Sequence, residues 1–220
     1  MSGWKWLPWA VLFTLTMLAD PLGLGTGAAR AAVVINEILA DPARDWDGDG
    51  VLDSRDDEWV EVLNTGPGPV DLVSYWLRDD AAVGPRLNLF GVLEAGQTAV
   101  FFGSQAVAWQ QETGATVAGL SLNNSGDRVI LLRTVAGSDP LTWEDVDDVD
   151  YTSHQVVDDR SCGWSVQRDQ WLLFDALNPY AGTLEPAGSG CAPTPGAPNL
   201  CDSSVDVQDS SFGELKATYR

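Results

Sequence analysis

Short β-rich runs, each closed off by glycine, proline, asparagine or aspartate, constrain this chain most. Residues 33–39 (VVINEIL), 58–64 (EWVEVLN), 70–78 (VDLVSYWLR), 87–93, 97–103 (QTAVFFG), 116–122 and 128–134 (RVILLRT) carry β-branched, aromatic and aliphatic side chains between turn-forming residues. Residues 146–152 and 170–174 have the same character with less regular patterning. Such runs are too short and too closely punctuated for long helices. Seven to nine of them predict an all-β fold, an antiparallel β-sandwich of immunoglobulin-like type. Residues 104–111 predict no more than one short helical turn.

The chain has 220 residues, and 45% hydrophobic content is enough to build a single sizeable core. Its formal net charge is −20, which repels phosphate backbones and argues against nucleic acid as a partner. The single histidine, His154, excludes multi-histidine metal centres.

The first 31 residues predict a secretory signal peptide. Lys5 precedes an apolar run over residues 6–19, Asp20-Pro21 ends it, and Ala29-Arg30-Ala31 forms a cleavage pattern. The run is shorter than the ~20 residues of a membrane span. The mature chain is therefore expected to be exported (secreted, periplasmic or at the cell surface) with no span of its own; an uncleaved anchor is the alternative. Export allows a disulfide. Of Cys162, Cys191 and Cys201, the expected pair is Cys162–Cys191, with a small loop closed by Cys191–Cys201 as the rival. No C-x-x-C pair points to zinc or thioredoxin chemistry.

Five blocks of sequence resemble one family. Val34-Ile35-Asn36-Glu37-Ile38 with Asp41-Pro42 is similar to the opening "INEI…DP" of bacterial lamin-tail domains. Residues 58–64, Asp71-Leu72 through Tyr75-Trp76-Leu77-Arg78-Asp79, and Leu122-Asn123-Asn124-Ser125-Gly126-Asp127 resemble its next three signatures. Thr194-Pro195-Gly196-Ala197-Pro198-Asn199 resembles its closing "TPGAPN". The resemblance spans residues 33–199 in family order. It implies an immunoglobulin-like sandwich over residues 32–200, used as an interaction module without a shared enzymatic activity. Two departures are an insertion at residues 45–57 and a long cysteine-bearing stretch before Thr194. Independently of the family, Trp59 and Trp76 are expected as anchors between the sheets.

The insertion carries the sharpest chemical signal. Asp45, Asp47 and Asp49 occupy positions one, three and five of an EF-hand-type loop, and Gly50 supplies the turn at six. The Val51 carbonyl falls at seven, Asp53 at nine and Asp56 at twelve. Aspartate at twelve is the dockerin-like variant. Ca²⁺ takes six to eight hard oxygens, and this spacing wraps them around one point. Residues 41–58 hold eight acidic side chains against two arginines, a self-repelling cluster without a cation. The expected cofactor is one structural Ca²⁺ held by Asp45, Asp47, Asp49, Val51, Asp53 and Asp56, with Asp57 and Glu58 in reserve.

A second acidic run, residues 144–150, has no glycine at the turn position and is expected to be a charged edge strand. No nucleophile elbow, P-loop or H-E-x-x-H motif is present, so no catalytic residue is expected, and His154 is expected to be structural or exposed. Residues 201–220 are expected to form a polar linker and a short amphipathic tail. In that tail Phe212, Leu215 and Tyr219 share one helical face. Together these features predict an exported, non-catalytic interaction module with a structural calcium and an unidentified protein or surface partner. The alternative is a calcium-dependent secreted hydrolase, or an accessory subunit of one.

Overall fold

The computed structural model describes residues 33–138 and 141–201. The expected signal peptide and the expected tail lie outside the described residues. Eleven strands and one helix follow in chain order: β1 (Val33–Leu39), β2 (Trp59–Asn64), β3 (Val70–Asp71), β4 (Tyr75–Asp79), β5 (Leu87–Asn88), β6 (Val92–Leu93), β7 (Thr98–Phe102), α1 (Gly103–Thr113), β8 (Gly126–Thr134), β9 (Trp143–Thr152), β10 (Ser161–Ser165) and β11 (Gln170–Phe174). One sheet has the order β11-β10-β1-β2-β7 and the other β5-β4-β8-β9, with a small β3-β6 ribbon; the strands pair antiparallel.

Alternation explains the core. In β4, Tyr75, Leu77 and Asp79 are buried while Trp76 and Arg78 between them are half-buried on the outer face. Ile35, Ile38, Val60, Val62 and Phe101 of the first sheet meet Leu77, Val129, Leu131 and Val149 of the second. The expected sandwich is therefore present. Neither tryptophan is the expected anchor between the sheets: Trp59 is fully buried beneath the inserted loop, edge-on to Trp46 at 5.9 Å, and Trp76 stands on the outer face because Tyr75 and Leu77 take the inward positions of β4. The acidic run forms the edge strand β9, and its Asp147 accepts a hydrogen bond from the Ile35 amide (2.8 Å), beside the register shift in β1.

Three local expectations are corrected. The predicted single turn is an 11-residue helix, α1. Gln105 caps it by accepting from the Phe102 amide at 3.0 Å, and Gly114 ends it in the left-handed conformation. Its first residue must be glycine, because a Cβ on Gly103 would lie 1.8 Å from the Arg55 carbonyl oxygen. Residues 116–122 form no strand, because side chains take their backbone groups. Buried Gln110 donates to the carbonyls of Arg86 and Gly119 and accepts from the amides of Ala118 and Gly119. Glu58 accepts from the Leu122 amide.

The third correction concerns the cysteines. The disulfide joins Cys191 to Cys201, with a Cα–Cα distance of 5.6 Å, and Cys162 is a free, buried thiol. Cys162 lies in β10 between Ile38 and Leu173 and points into the main core. Cys191 instead packs with Leu172, Phe174 and Cys201 in a separate cluster. Cys162 and Cys191 thus belong to different cores and cannot meet.

Candidate functional site

Two groups of carboxylates dominate the described residues. One is the inserted loop between β1 and β2. Asp45, Asp47 and Asp49 each place a carboxylate oxygen within 4.8 Å of the others. The loop backbone sets this arrangement. Asp45 accepts from the Gly48 and Gly50 amides at 2.8 and 2.9 Å. Asp47 accepts from the Asp49 amide, and Asp49 from the Val51 amide. Gly50 has φ +91°, a conformation that side-chain-bearing residues rarely adopt.

The remaining predicted ligands stand apart from this trio. Asp53 accepts from the amides of Arg55 and Asp56, and those bonds lower its pKa below the usual aspartate value. Asp56 pairs with the Arg55 guanidinium at 2.6 Å. Val51 is exposed. Of the two reserve ligands, Glu58 is buried and accepts from the Leu122 amide, and Asp57 is buried and acts as the loop's anchor: it accepts from the amides of Trp46 (2.6 Å), Asp47 (3.1 Å) and Asp53 (2.8 Å).

A second anchor comes from outside the loop. Asp159, 4% exposed, accepts from the Ala43 amide, the Arg44 guanidinium and the Trp46 indole N–H. Its own amide donates to the Asp41 carbonyl. The Asn124 amide of the Asn-Asn turn donates to the Asp41 carboxylate. Nothing in the local spacing marks Asp159, which lies more than 100 residues along the chain from these partners.

The second carboxylate group lies in the first sheet. Glu37 and Glu61 are fully buried on β1 and β2. Glu37 accepts from the Ser161 hydroxyl (2.5 Å), the Thr194 hydroxyl (2.7 Å) and the Thr194 amide (3.1 Å). Glu61 accepts from Asn36 Nδ2 and from the Gly196 amide at 2.6 Å. Asn199 donates to the carbonyls of Asn36 and Trp164. Three of the five sequence blocks therefore meet in one buried network that clasps residues 194–199 onto the sheet. Burial raises the Glu37 pKa to about 8 against the opposing effect of its donors. Burial also raises Glu61, and it brings Glu58 to about 8.

Other conspicuous residues have structural partners. Asp79 is buried against Arg86 (2.8 Å) and caps the turn through the Ala82 amide. His154 lies between the Thr152 hydroxyl and the Pro186 carbonyl and packs on Tyr180 at 4.9 Å. Among the described residues no helix is long and apolar enough to cross a membrane.

Comparison with known proteins gives one family. The model described as Lamin Tail Domain matches residues 26–153, which takes in β1 through β9 and the inserted loop; β10, β11 and the clasped segment follow it. No curated protein and no solved structure matches the chain. With nine of its eleven strands and four of its five sequence blocks inside the matched range, the chain belongs to the lamin tail domain family, whose immunoglobulin-like fold is non-enzymatic.

Proposed function

We propose that this chain is an exported, non-catalytic interaction module whose β1–β2 loop holds one structural Ca²⁺. The observation that carries the calcium reading is the convergence of Asp45, Asp47 and Asp49 within 4.8 Å, at positions one, three and five of a calcium loop. The anchors Asp57 and Asp159 support it further. They fix the loop backbone through their own hydrogen bonds and leave the trio facing solvent. Occupancy requires Asp53 and Asp56 to turn toward the trio, with Asp56 exchanging Arg55 for the ion. Their small distance along the chain and partial exposure support that movement.

The Ca²⁺ would order the loop rather than fold the sandwich, whose core is formed by other residues. Family membership supports the interaction role, and the pattern of residues 1–31 supports export. The folded module is assigned to residues 32–200, with a linker and tail after it. The test is recovery of the protein from the envelope and medium, with sequencing of its N-terminus, followed by capture of envelope components on the purified chain with and without Ca²⁺. A mature end near Ala32 and a calcium-dependent captured component are expected. An intact Met1 end in the cytosol contradicts the export reading.

A further inference from the structure

Away from both carboxylate groups, a cleft of about 280 Å³ opens between α1 and the short edge strand β5, walled by Phe90 and Trp109. Phe90 is 54% exposed and is held edge-on against Phe101 at 5.4 Å. Trp109 stands edge-on to Trp76 at 5.9 Å, and Trp76 is edge-on to Trp143 at 5.8 Å, so an aromatic row continues from the cleft along the outer face of the second sheet. Packing fixes these rings, which present apolar faces with little conformational entropy left to lose.

The polar groups of the cleft have unused hydrogen-bonding capacity. Asn88 spends its amide N–H groups on the Val73 and Tyr75 carbonyls, which leaves its oxygen as an acceptor. Gln105 spends its oxygen on the Phe102 amide, which leaves its N–H groups as donors. Glu112 is exposed and supplies the only charge in the lining. An acceptor on Asn88, donors on Gln105 and the Glu112 carboxylate thus share one lining with the two rings.

An apolar protein side chain seated here would leave these groups unsatisfied. An anionic ligand would meet Glu112 on a chain of net charge −20. A pyranose satisfies both conditions: its C–H face covers an aromatic ring, and its rim of hydroxyls both donates and accepts. We infer that the cleft between α1 and β5 is a binding site for neutral glycans, with Phe90 and Trp109 as stacking surfaces and Asn88, Gln105 and Glu112 as hydroxyl partners. Trp76 and Trp143 extend the surface to further sugar units.

This assignment rests on the reading of the chain as an interaction module and names the chemistry of its partner. The test titrates the full mature chain with cellohexaose, chitohexaose, xylohexaose and mannohexaose at up to millimolar concentrations, followed by tryptophan fluorescence and calorimetry. Saturable binding of at least one oligosaccharide is expected, independent of Ca²⁺. Phe90→Ala and Trp109→Ala should each weaken it by about tenfold. Trp109 touches the core and Phe90 packs on buried Phe101, so Glu112→Ala, at an exposed position and with unchanged thermal melting, keeps the test independent of folding. Absence of binding to all four probes overturns the assignment, as does binding that Phe90→Ala and Glu112→Ala leave intact. If the probes fail while calcium-dependent envelope capture succeeds, the glycan assignment falls and the module reading stands.

Discussion

The clasp and the loop are built from the same side chains and behave as opposites. Glu37 and Glu61 are sealed between strands, and their oxygens are taken up by donors from β1, β10 and residues 194–196. Asp45 and Asp49 stand in solvent, with Asp47 half-buried, and accept only from their own loop's backbone. Burial decides the role. A desolvated carboxylate ties distant segments together and resists ionisation, whereas a hydrated trio costs the fold little and remains free to take an ion.

The largest effect should come from opening the clasp. Glu37→Ala leaves the buried Ser161 hydroxyl and the Thr194 amide without their acceptor, while the Thr194 hydroxyl keeps only Asn199, which should cost about 2–4 kcal/mol. Urea unfolding measures it. By contrast, Asp45→Ala with Asp49→Ala in calcium-free buffer should stay within about 0.5 kcal/mol of the parent. Equal losses would erase the distinction between the two sites.

The disulfide sharpens the same contrast, because Cys191 and Cys201 bracket the clasped residues 194–199. Reducing it reopens a short chain segment and should lower stability by roughly 2–3 kcal/mol. Cys162, buried in the other core with its thiol pKa pushed up by burial, should stay unreactive toward a thiol reagent until the protein unfolds.

Proton linkage separates buried from exposed carboxylates by sign. Glu37 and Glu58 titrate near 8 in the folded protein, above their ordinary value of 4.5, so the folded state holds protons that the unfolded chain has released. Their contribution is complete below about pH 4.5 and is lost as the pH climbs toward 8. The urea midpoint should therefore fall between pH 5 and 8, and Glu37→Gln should flatten that slope. Asp53, with its pKa lowered, works in the opposite direction: its contribution is present at neutral pH and is lost on acidification.

Much of this was legible in the sequence where local pattern and fold agree. β1, β2, β4, β7 and β8 follow from β-branched, aromatic and aliphatic runs bounded by turn residues, and the loop trio follows from spacing. What escaped depends on partners far along the chain. The Ser-Cys-Gly-Trp-Ser run of β10 has little strand character and is a strand because β1 and β11 flank it. Helix α1 has no strong apolar stripe and owes its extent to its cap, to Gly114 and to the interior hydrogen bonds of Gln110. The cysteine pairing turns on which side of β10 and β11 each thiol faces, and spacing carries no such information. The position of Asp57 in the loop marks it as a spare ligand and does not reveal its burial.

Calorimetric titration of the purified chain with Ca²⁺ tests the central claim most directly. The account predicts one site, with a Kd of about 10⁻⁴ to 10⁻³ M. At about 1 mM free ion this stabilises the fold by roughly 0.4–1.4 kcal/mol. Mg²⁺ should substitute poorly, and Asp45→Ala with Asp49→Ala should abolish the heat. No heat up to several millimolar Ca²⁺, or undiminished binding by the double variant, would contradict the account and leave the loop as a solvated acidic turn.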